Sequence, residues 1–295
     1  MVSDAGLSFK NEQTLEYIKT AKEDIPFVIQ LFGSKIENAK RAIDELENRK
    51  INYQMIDLNF GCPVHKVTKT NAGSSWLKSE RNDELYTYVK EIVKYSKKPV
   101  TAKIRIGFDE EDINVLKTCL TLQKAGVSAI TIHPRTAKQM YSGQARYDVI
   151  ENIGLKLSIP LIISGDINNP KTAIEFFEKS KATAIMVARG AVGNPKLISD
   201  LNYYFENKKF NSENLNFHTQ NKYAKELSLE TLSYFPEKKA LNLLKHIIPN
   251  FYKFFIGRKN ITARLFVAFE NKSKLLKFFD TLEQEDFPLN PFFKL

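Results

Sequence analysis

From Pro26 to about Leu201 one pattern recurs six times: a short apolar run rich in Val and Ile, closed by polar residues, then an amphipathic stretch. The runs are Phe27–Phe32, Gln54–Phe60, Val100–Ile106, Ala129–His133, Leu161–Ser164 and Ala184–Ala188. Between them, stretches such as Lys35–Arg49 carry Ile36, Ala39, Ile43 and Leu46 at helical spacing. Asn169-Pro170 and Asn194-Pro195 each put an N-cap residue before a proline suited to the first helical position. Strands alternating with helices build a parallel sheet. A closed (β/α)8 barrel needs eight such units. Six are present, and Met1–Leu7 reads as the exit of one earlier strand. The choice lies between an open sheet of six or seven strands and a barrel whose chain begins late. The polar residues described below favour the second: an α/β chain with a TIM-type (β/α)8 barrel missing its first β/α unit, followed by a smaller all-helical domain.

The second domain announces itself after about Asn202, where the strand pattern stops. Helical stretches follow at roughly Thr219–Tyr234, Glu237–Phe255, Asn260–Glu270 and Lys272–Leu282. Residues 203–295 carry 15 Lys/Arg and 10 Asp/Glu, against 29 and 24 in residues 1–202, so each part has a net charge of +5 and the shorter tail is about twice as basic per residue. The expected organisation is a barrel over residues 1–202, a polar, Asn-rich linker over 203–218 and a helical basic domain over 219–295. A net charge of +10 suits an anionic partner. The abundance of Lys, Asn, Ile and Phe fits an AT-rich genome equally well, so charge alone names no partner.

Other classes are disfavoured. No stretch approaches the roughly 20 apolar residues of a membrane span, and Met1–Lys10 lacks the blocks of a signal peptide. A cytoplasmic chain is expected. The two cysteines, Cys62 in a loop and Cys119 in an apparent helix with Leu116, Leu120 and Leu122, make neither a disulfide framework nor a metal cluster. Cys119 reads as a small buried hydrophobe. His65, His133, His218 and His246 lack ligand spacing, so no metal is expected.

Both faces of a parallel barrel strand are buried, so polar side chains there need a reason. Here they gather at the C-terminal end of every strand: Gln30; Asp57 with Asn59; Lys103 with Arg105; Thr131 with His133; Ser164-Gly165-Asp166; and Arg189-Gly190. That is the end where such barrels carry active sites. The loops after the last two strands, Ser164-Gly165-Asp166 and Ala188-Arg189-Gly190, offer small residues and a counter-charge, which suits a phosphorylated cofactor. Lys103 suits a flavin, since a cation near the N1–C2 edge stabilises the charge gathered there on reduction. Gln30 and His133 can bond other polar edges.

At Asp57-Leu58-Asn59-Phe60-Gly61-Cys62-Pro63 the chain resembles the tRNA-dihydrouridine synthase family, in its bacterial type. Further stretches fall in family order: Val28–Gly33, Ala102–Arg105 (Ala-Lys-Ile-Arg), Ile132–Thr136 (Ile-His-Pro-Arg-Thr), Ser164–Ile167 and Ala188–Pro195. The resemblance covers nearly the whole chain. It implies FMN-dependent reduction of uridine to 5,6-dihydrouridine in tRNA with NADPH, by hydride from flavin N5 to C6 and a proton from Cys62 to C5. It places Gln30, Lys103, His133, Ser164, Gly165, Asp166, Ala188 and Arg189 at the cofactor. Asn59, Arg105, Arg135, Lys66 and Lys69 fall to the substrate, with the loop from Cys62 to Gly73 closing over the uridine. The helical tail looks like the family's tRNA-binding domain, and Lys245-His246 to Tyr252 resembles its basic-aromatic helix. A thiol carries its proton at neutral pH, as a general acid must. A monomer is expected. The family's usual opening strand, with Pro-Met-Ala-Gly, does not precede Met1, and Ser164 stands where asparagine is more usual. Two alternatives remain: another FMN barrel oxidoreductase of the dihydroorotate dehydrogenase kind, or a truncated, non-catalytic RNA-binding protein.

Overall fold

The structure, a computed structural model, describes residues 1–19, 26–211 and 215–291. Seven parallel strands form one sheet in chain order: β1 (Val2–Ser3), β2 (Val28–Phe32), β3 (Met55–Asn59), β4 (Val100–Arg105), β5 (Ile130–His133), β6 (Leu161–Ser164) and β7 (Ala184–Met186). Sequential order with parallel pairing throughout is the arrangement of a β/α barrel sheet. Among the described residues β1 pairs only with β2, and β7 only with β6. The central strands β3, β4 and β5 are buried almost end to end, as a sheet covered on both faces requires.

The accompanying helices are α1 (Asp4–Ser8), α2 (Glu12–Glu16), α3 (Ile36–Asn48), α4 (His65–Thr68), α5 (Asn82–Tyr95), α6 (Val115–Ala125) and α7 (Pro170–Ser180). Helix α3 buries Ala39, Ile43 and Leu46 of the stripe that its spacing predicts, together with Ala42, while Ile36 is half-buried. Three expectations need correcting. The opening segment is not all strand: Ser3 caps α1, its hydroxyl accepting from the Gly6 N–H, and the chain turns helical at once. In α6, Cys119 shares its buried face with Val115 and Leu122, while Leu120 is 43% exposed. Positions i, i+4 and i+7 lie on one side of a helix, and the residue next to Cys119 does not. Between β5 and β6 there is no α-helix. A looped segment and a short 3-10 turn, Ile153–Lys156, make the crossing, with Met140, Gly143 and Asn152 in the left-handed region.

The chain divides into two compact units, residues 1–166 with 175–186, and residues 167–174 with 187–295. The second unit begins before the change of composition near Asn202. Its helices are α8 (Lys196–Asn207), α9 (Phe217–Tyr234), α10 (Glu237–Ile247), α11 (Arg258–Ala268) and α12 (Lys272–Leu282). Helix α8 occupies the start of the expected linker, and residues 212–214 of it lie outside the described residues. The helix expected over Glu237–Phe255 tightens into a 3-10 turn, Ile248–Tyr252, at Pro249, which has no N–H for a helical bond. The core of this unit is aromatic: Phe217 meets Phe255 and Phe287 with ring centroids 5.2 and 4.8 Å apart. Two buried polar side chains there are paired with each other and with the backbone, Tyr252 donating to Asn221 Oδ1 at 2.8 Å and Asn221 Nδ2 to the Phe279 carbonyl at 3.0 Å.

Candidate active site

Parallel register sets Gln30 beside Asp57, Asn59 beside Lys103, and Arg105 beside His133. Polar residues spaced two apart on separate strands thus meet at the strand ends. A run of hydrogen bonds follows. Thr101 Oγ1 donates to Asp57 Oδ1 at 2.7 Å, and Gln30 Nε2 donates to Asp57 Oδ2 at 2.6 Å. Asn59 Nδ2 donates to Gln30 Oε1 at 2.7 Å, and Asn59 Oδ1 accepts the N–H groups of Gly61 at 3.1 Å and Cys62 at 2.9 Å.

Cys62 is buried, packed with Val67 and Ala72, with Phe32 against them. Its carbonyl accepts from the Ser74 N–H at 2.9 Å. Gly73 has φ +59°, and a Cβ there would stand 2.6 Å from the Cys62 carbonyl oxygen, so a bare Cα lets the loop close this tightly. Arg105 holds the other side of the loop. Its Nε donates to the Gly61 carbonyl at 2.8 Å, and its Nη1 donates to the carbonyls of Thr136 at 2.8 Å and Met140 at 2.6 Å. The exposed Tyr141 ring lies 5.4 Å from the Arg105 guanidinium.

Arg135 makes a bidentate pair with Asp166, both contacts 2.8 Å, and also donates to the carbonyls of Gly143 at 2.7 Å and Ser142 at 3.3 Å. Its Nη1 lies 3.1 Å from His133 Nε2. Burial pushes the Asp166 carboxyl up, but the Arg135 bonds, the Ala145 N–H and the Arg135 charge outweigh it, leaving Asp166 below the usual range. Gly165 has φ +99°, and a Cβ there would meet the His133 ring at 2.4 Å, so ring and backbone lie flush only with glycine. Tyr147 donates to the carbonyl of Gly165 at 2.8 Å and to that of Ser164 at 3.1 Å, fixing that loop from below.

Lys103 makes no hydrogen bond among the described residues. Burial first, then the Arg105 charge, pulls its ammonium down to about 8 against the attraction of Asp57. Burial raises Asp57, though the Gln30 and Thr101 bonds oppose it. A buried ammonium without a hydrogen-bond partner among the described residues fits an anionic group such as the edge of a flavin. Lys66 and Lys69 are exposed on and just after α4, lining a cavity of about 900 Å³ with Ser3, Phe32 and Asn71. Ala188 and Arg189 belong to the second unit, both exposed, where Arg189–Ala191 forms a 3-10 turn. A Cβ at Gly190 would stand 1.9 Å from the Ile167 carbonyl oxygen, so that turn too requires glycine.

Sequence reading missed three members of this constellation. Thr101 shares the Lys103 face of β4 by simple alternation, a signal that was available. Tyr141 and Tyr147 sit in the irregular β5–β6 segment, where no periodicity marks a position.

Two buried groups give opposite pH slopes. Burial pushes Asp4 from 3.8 up to about 7, although the Ala5 N–H opposes it. The unfolded chain releases that proton more readily, so stability falls as pH rises from about 4 to about 7. Burial, then the charges of Arg105, Lys103 and Arg135, holds His133 down from 6.5 to about 3. The unfolded chain takes up that proton more readily, so stability falls as pH drops below about 6.5. Relative to the parent, Asp4→Asn should therefore gain stability as pH rises through 5 to 7, and His133→Gln as pH falls through 6.5 to 5. Each slope has a ceiling of about 1.4 kcal/mol per pH unit. Urea midpoints across that range measure both, and slopes of the same sign would contradict the assignments.

A family model described as "Dihydrouridine synthase (Dus)" matches residues 1–285. "Probable tRNA-dihydrouridine synthase 1" of Synechocystis sp. is 36% identical over 185 residues, 61% of this chain and 50% of that protein. "Probable tRNA-dihydrouridine synthase" of Rickettsia typhi is 36% identical over 211 residues, 71% of this chain and 63% of that protein. "tRNA-dihydrouridine synthase B" of Vibrio vulnificus is 38% identical over 154 residues, 52% and 47% respectively. The chain thus spans between about half and three-fifths of the length of these curated relatives.

Proposed function

Because the chain belongs to the dihydrouridine synthase family, we propose that it reduces the C5=C6 bond of uridine in tRNA, with FMN bound at the strand ends and NADPH as reductant. The observation that carries this reading is the thiol of Cys62 on a loop clamped from both sides, by Asn59 through two N–H groups and by Arg105 through a carbonyl. Bound FMN would supply the hydride, from N5 to uracil C6. Cys62 Sγ–H gives the proton to C5 and regains one from solvent.

The other residues bind and orient. Lys103 offers its ammonium to the anionic edge of the cofactor, and Gln30 and His133 line it. Ser164, Gly165 and Asp166 take the phosphate through backbone N–H groups. Asn59 faces the uracil edge. Arg105 and Arg135 serve the substrate at one remove, since their N–H groups hold the carbonyls of the loops around it. Lys66 and Lys69 take phosphates of the RNA, and the basic helical unit binds the remainder of the tRNA. The target base must leave its stack to reach a buried thiol, which is why so much phosphate-binding surface is useful. No helix among the described residues is long and apolar enough to cross a membrane.

The test is incubation of the purified chain with FMN, NADPH and unmodified tRNA, then mass spectrometry for a gain of two hydrogens at uridine. Loss of bound tRNA with salt is the second measurement. About four phosphate contacts would weaken binding about 100-fold between roughly 50 and 200 mM salt. A flat response would remove the basic surface from the reading.

A further inference from the structure

The hydrogen bonds that lead to Cys62 have a direction, and Asp57 sets it. The backbone N–H groups of Gly61 and Cys62 are donors, so the atom of Asn59 that meets them must be Oδ1. Its Nδ2 must then face Gln30, which meets it with Oε1 and turns Nε2 toward Asp57. The second N–H of Asn59 Nδ2 points at Met1 Sδ, 3.3 Å away. At the far end, Asp57 Oδ2 accepts from Gln30 Nε2, which is the same orientation of the Gln30 amide that Asn59 requires. Both Asp57 oxygens are taken, one by Gln30 and one by Thr101, and the residue is 6% exposed. Neither amide can flip without setting donor against donor somewhere along the run.

We propose that Asp57 is a positioning residue for the reaction: through the amides of Gln30 and Asn59 it fixes the backbone of the loop that carries the Cys62 thiol. The inference rests on the function proposed above. Asp57 itself touches no reacting atom. Its place two residues before Asn59 on β3, beside Gln30 of β2, joins two strands to one loop, so the thiol inherits the rigidity of the sheet.

The chain has two cysteines, so selective 15N labelling of cysteine gives two backbone amide signals, Cys62 and, in α6, Cys119. In Asp57→Ala, exchange of the Cys62 amide should accelerate about tenfold, the scale of one lost hydrogen bond, with Cys119 unmoved. Uridine reduction should lose on the order of 10- to 100-fold in kcat, with KM within about threefold. Asp57→Asn should restore Cys62 protection, because its Oδ1 can accept from Gln30 while its Nδ2 donates to Thr101. A general loss of folding would move both amides and is thereby distinguished. Should Asp57→Ala fail to fold, Gln30→Leu interrupts the same run one step later and carries the same expectation. Unchanged Cys62 exchange in the folded variant, or equal loss in Asp57→Asn and Asp57→Ala, overturns the proposal. The exchange measurement needs no tRNA, flavin or NADPH. A parent chain that reduces no uridine while Asp57→Ala still loosens Cys62 would sink the proposed function and keep the relay. Uridine reduction by the parent with Cys62 unmoved in the variant would do the reverse.

Discussion

Cys62→Ala should bind FMN and accept electrons from NADPH like the parent, yet lose between about 10²- and 10⁴-fold in uridine reduction, the range that a positioned general acid supplies. The substitution is small. It removes one sulfur from a pocket formed with Val67 and Ala72 and leaves the Asn59 bonds to the loop untouched, because the loop enters them through backbone N–H groups that alanine keeps. The loop therefore keeps its shape, and a loss of activity reports the missing proton donor. Stopped-flow reduction of the flavin, followed by single-turnover reduction of tRNA, separates the two half-reactions. A variant that reduces uridine within a few-fold of the parent would remove Cys62 from the mechanism.

Asp166→Ala should cost about 3–5 kcal/mol of folding stability, because it strands a buried cation. The Arg135 side chain is 3% exposed and the Asp166 side chain 25%, so the carboxylate has access to water that the guanidinium lacks. Two further carbonyl contacts remain to Arg135, but they carry no charge. Asp166 also sits at φ +53°, which alanine tolerates at a cost of roughly 1 kcal/mol more. Asp166→Asn keeps the shape and the backbone preference and drops only the charge, so it should fall between the two. The single tryptophan, Trp76, lies in the first unit, and its fluorescence during urea unfolding reads the stability of that unit. If Asp166→Asn matched the parent within about 0.5 kcal/mol, the ion pair would count for little.

The strands were legible because Val and Ile runs bounded by polar residues leave few alternatives, and the strand-end side chains followed from alternation. What composition and periodicity hide is register. Gln30 and Asp57 are 27 residues apart, and their bond exists because β2 and β3 align them. Arg135 and Asp166, 31 residues apart, meet across a looped crossing that no helical pattern marks. The same crossing supplies the carbonyls that Arg105 and Arg135 meet, contacts that no pattern in the sequence marks. Leu120 misled for a simpler reason, being next to Cys119 in sequence and on a different side of α6.

Loops at the mouth of a β/α barrel are where such proteins usually diversify, by lengthening and shortening independently. Arg105 withdraws that freedom from two of them. One guanidinium rivets the turn after β3 to the turn after β5, so an insertion near Gly61 or between Thr136 and Met140 would unhook its neighbour as well. Relatives are expected to keep the length of this pair and vary elsewhere around the rim.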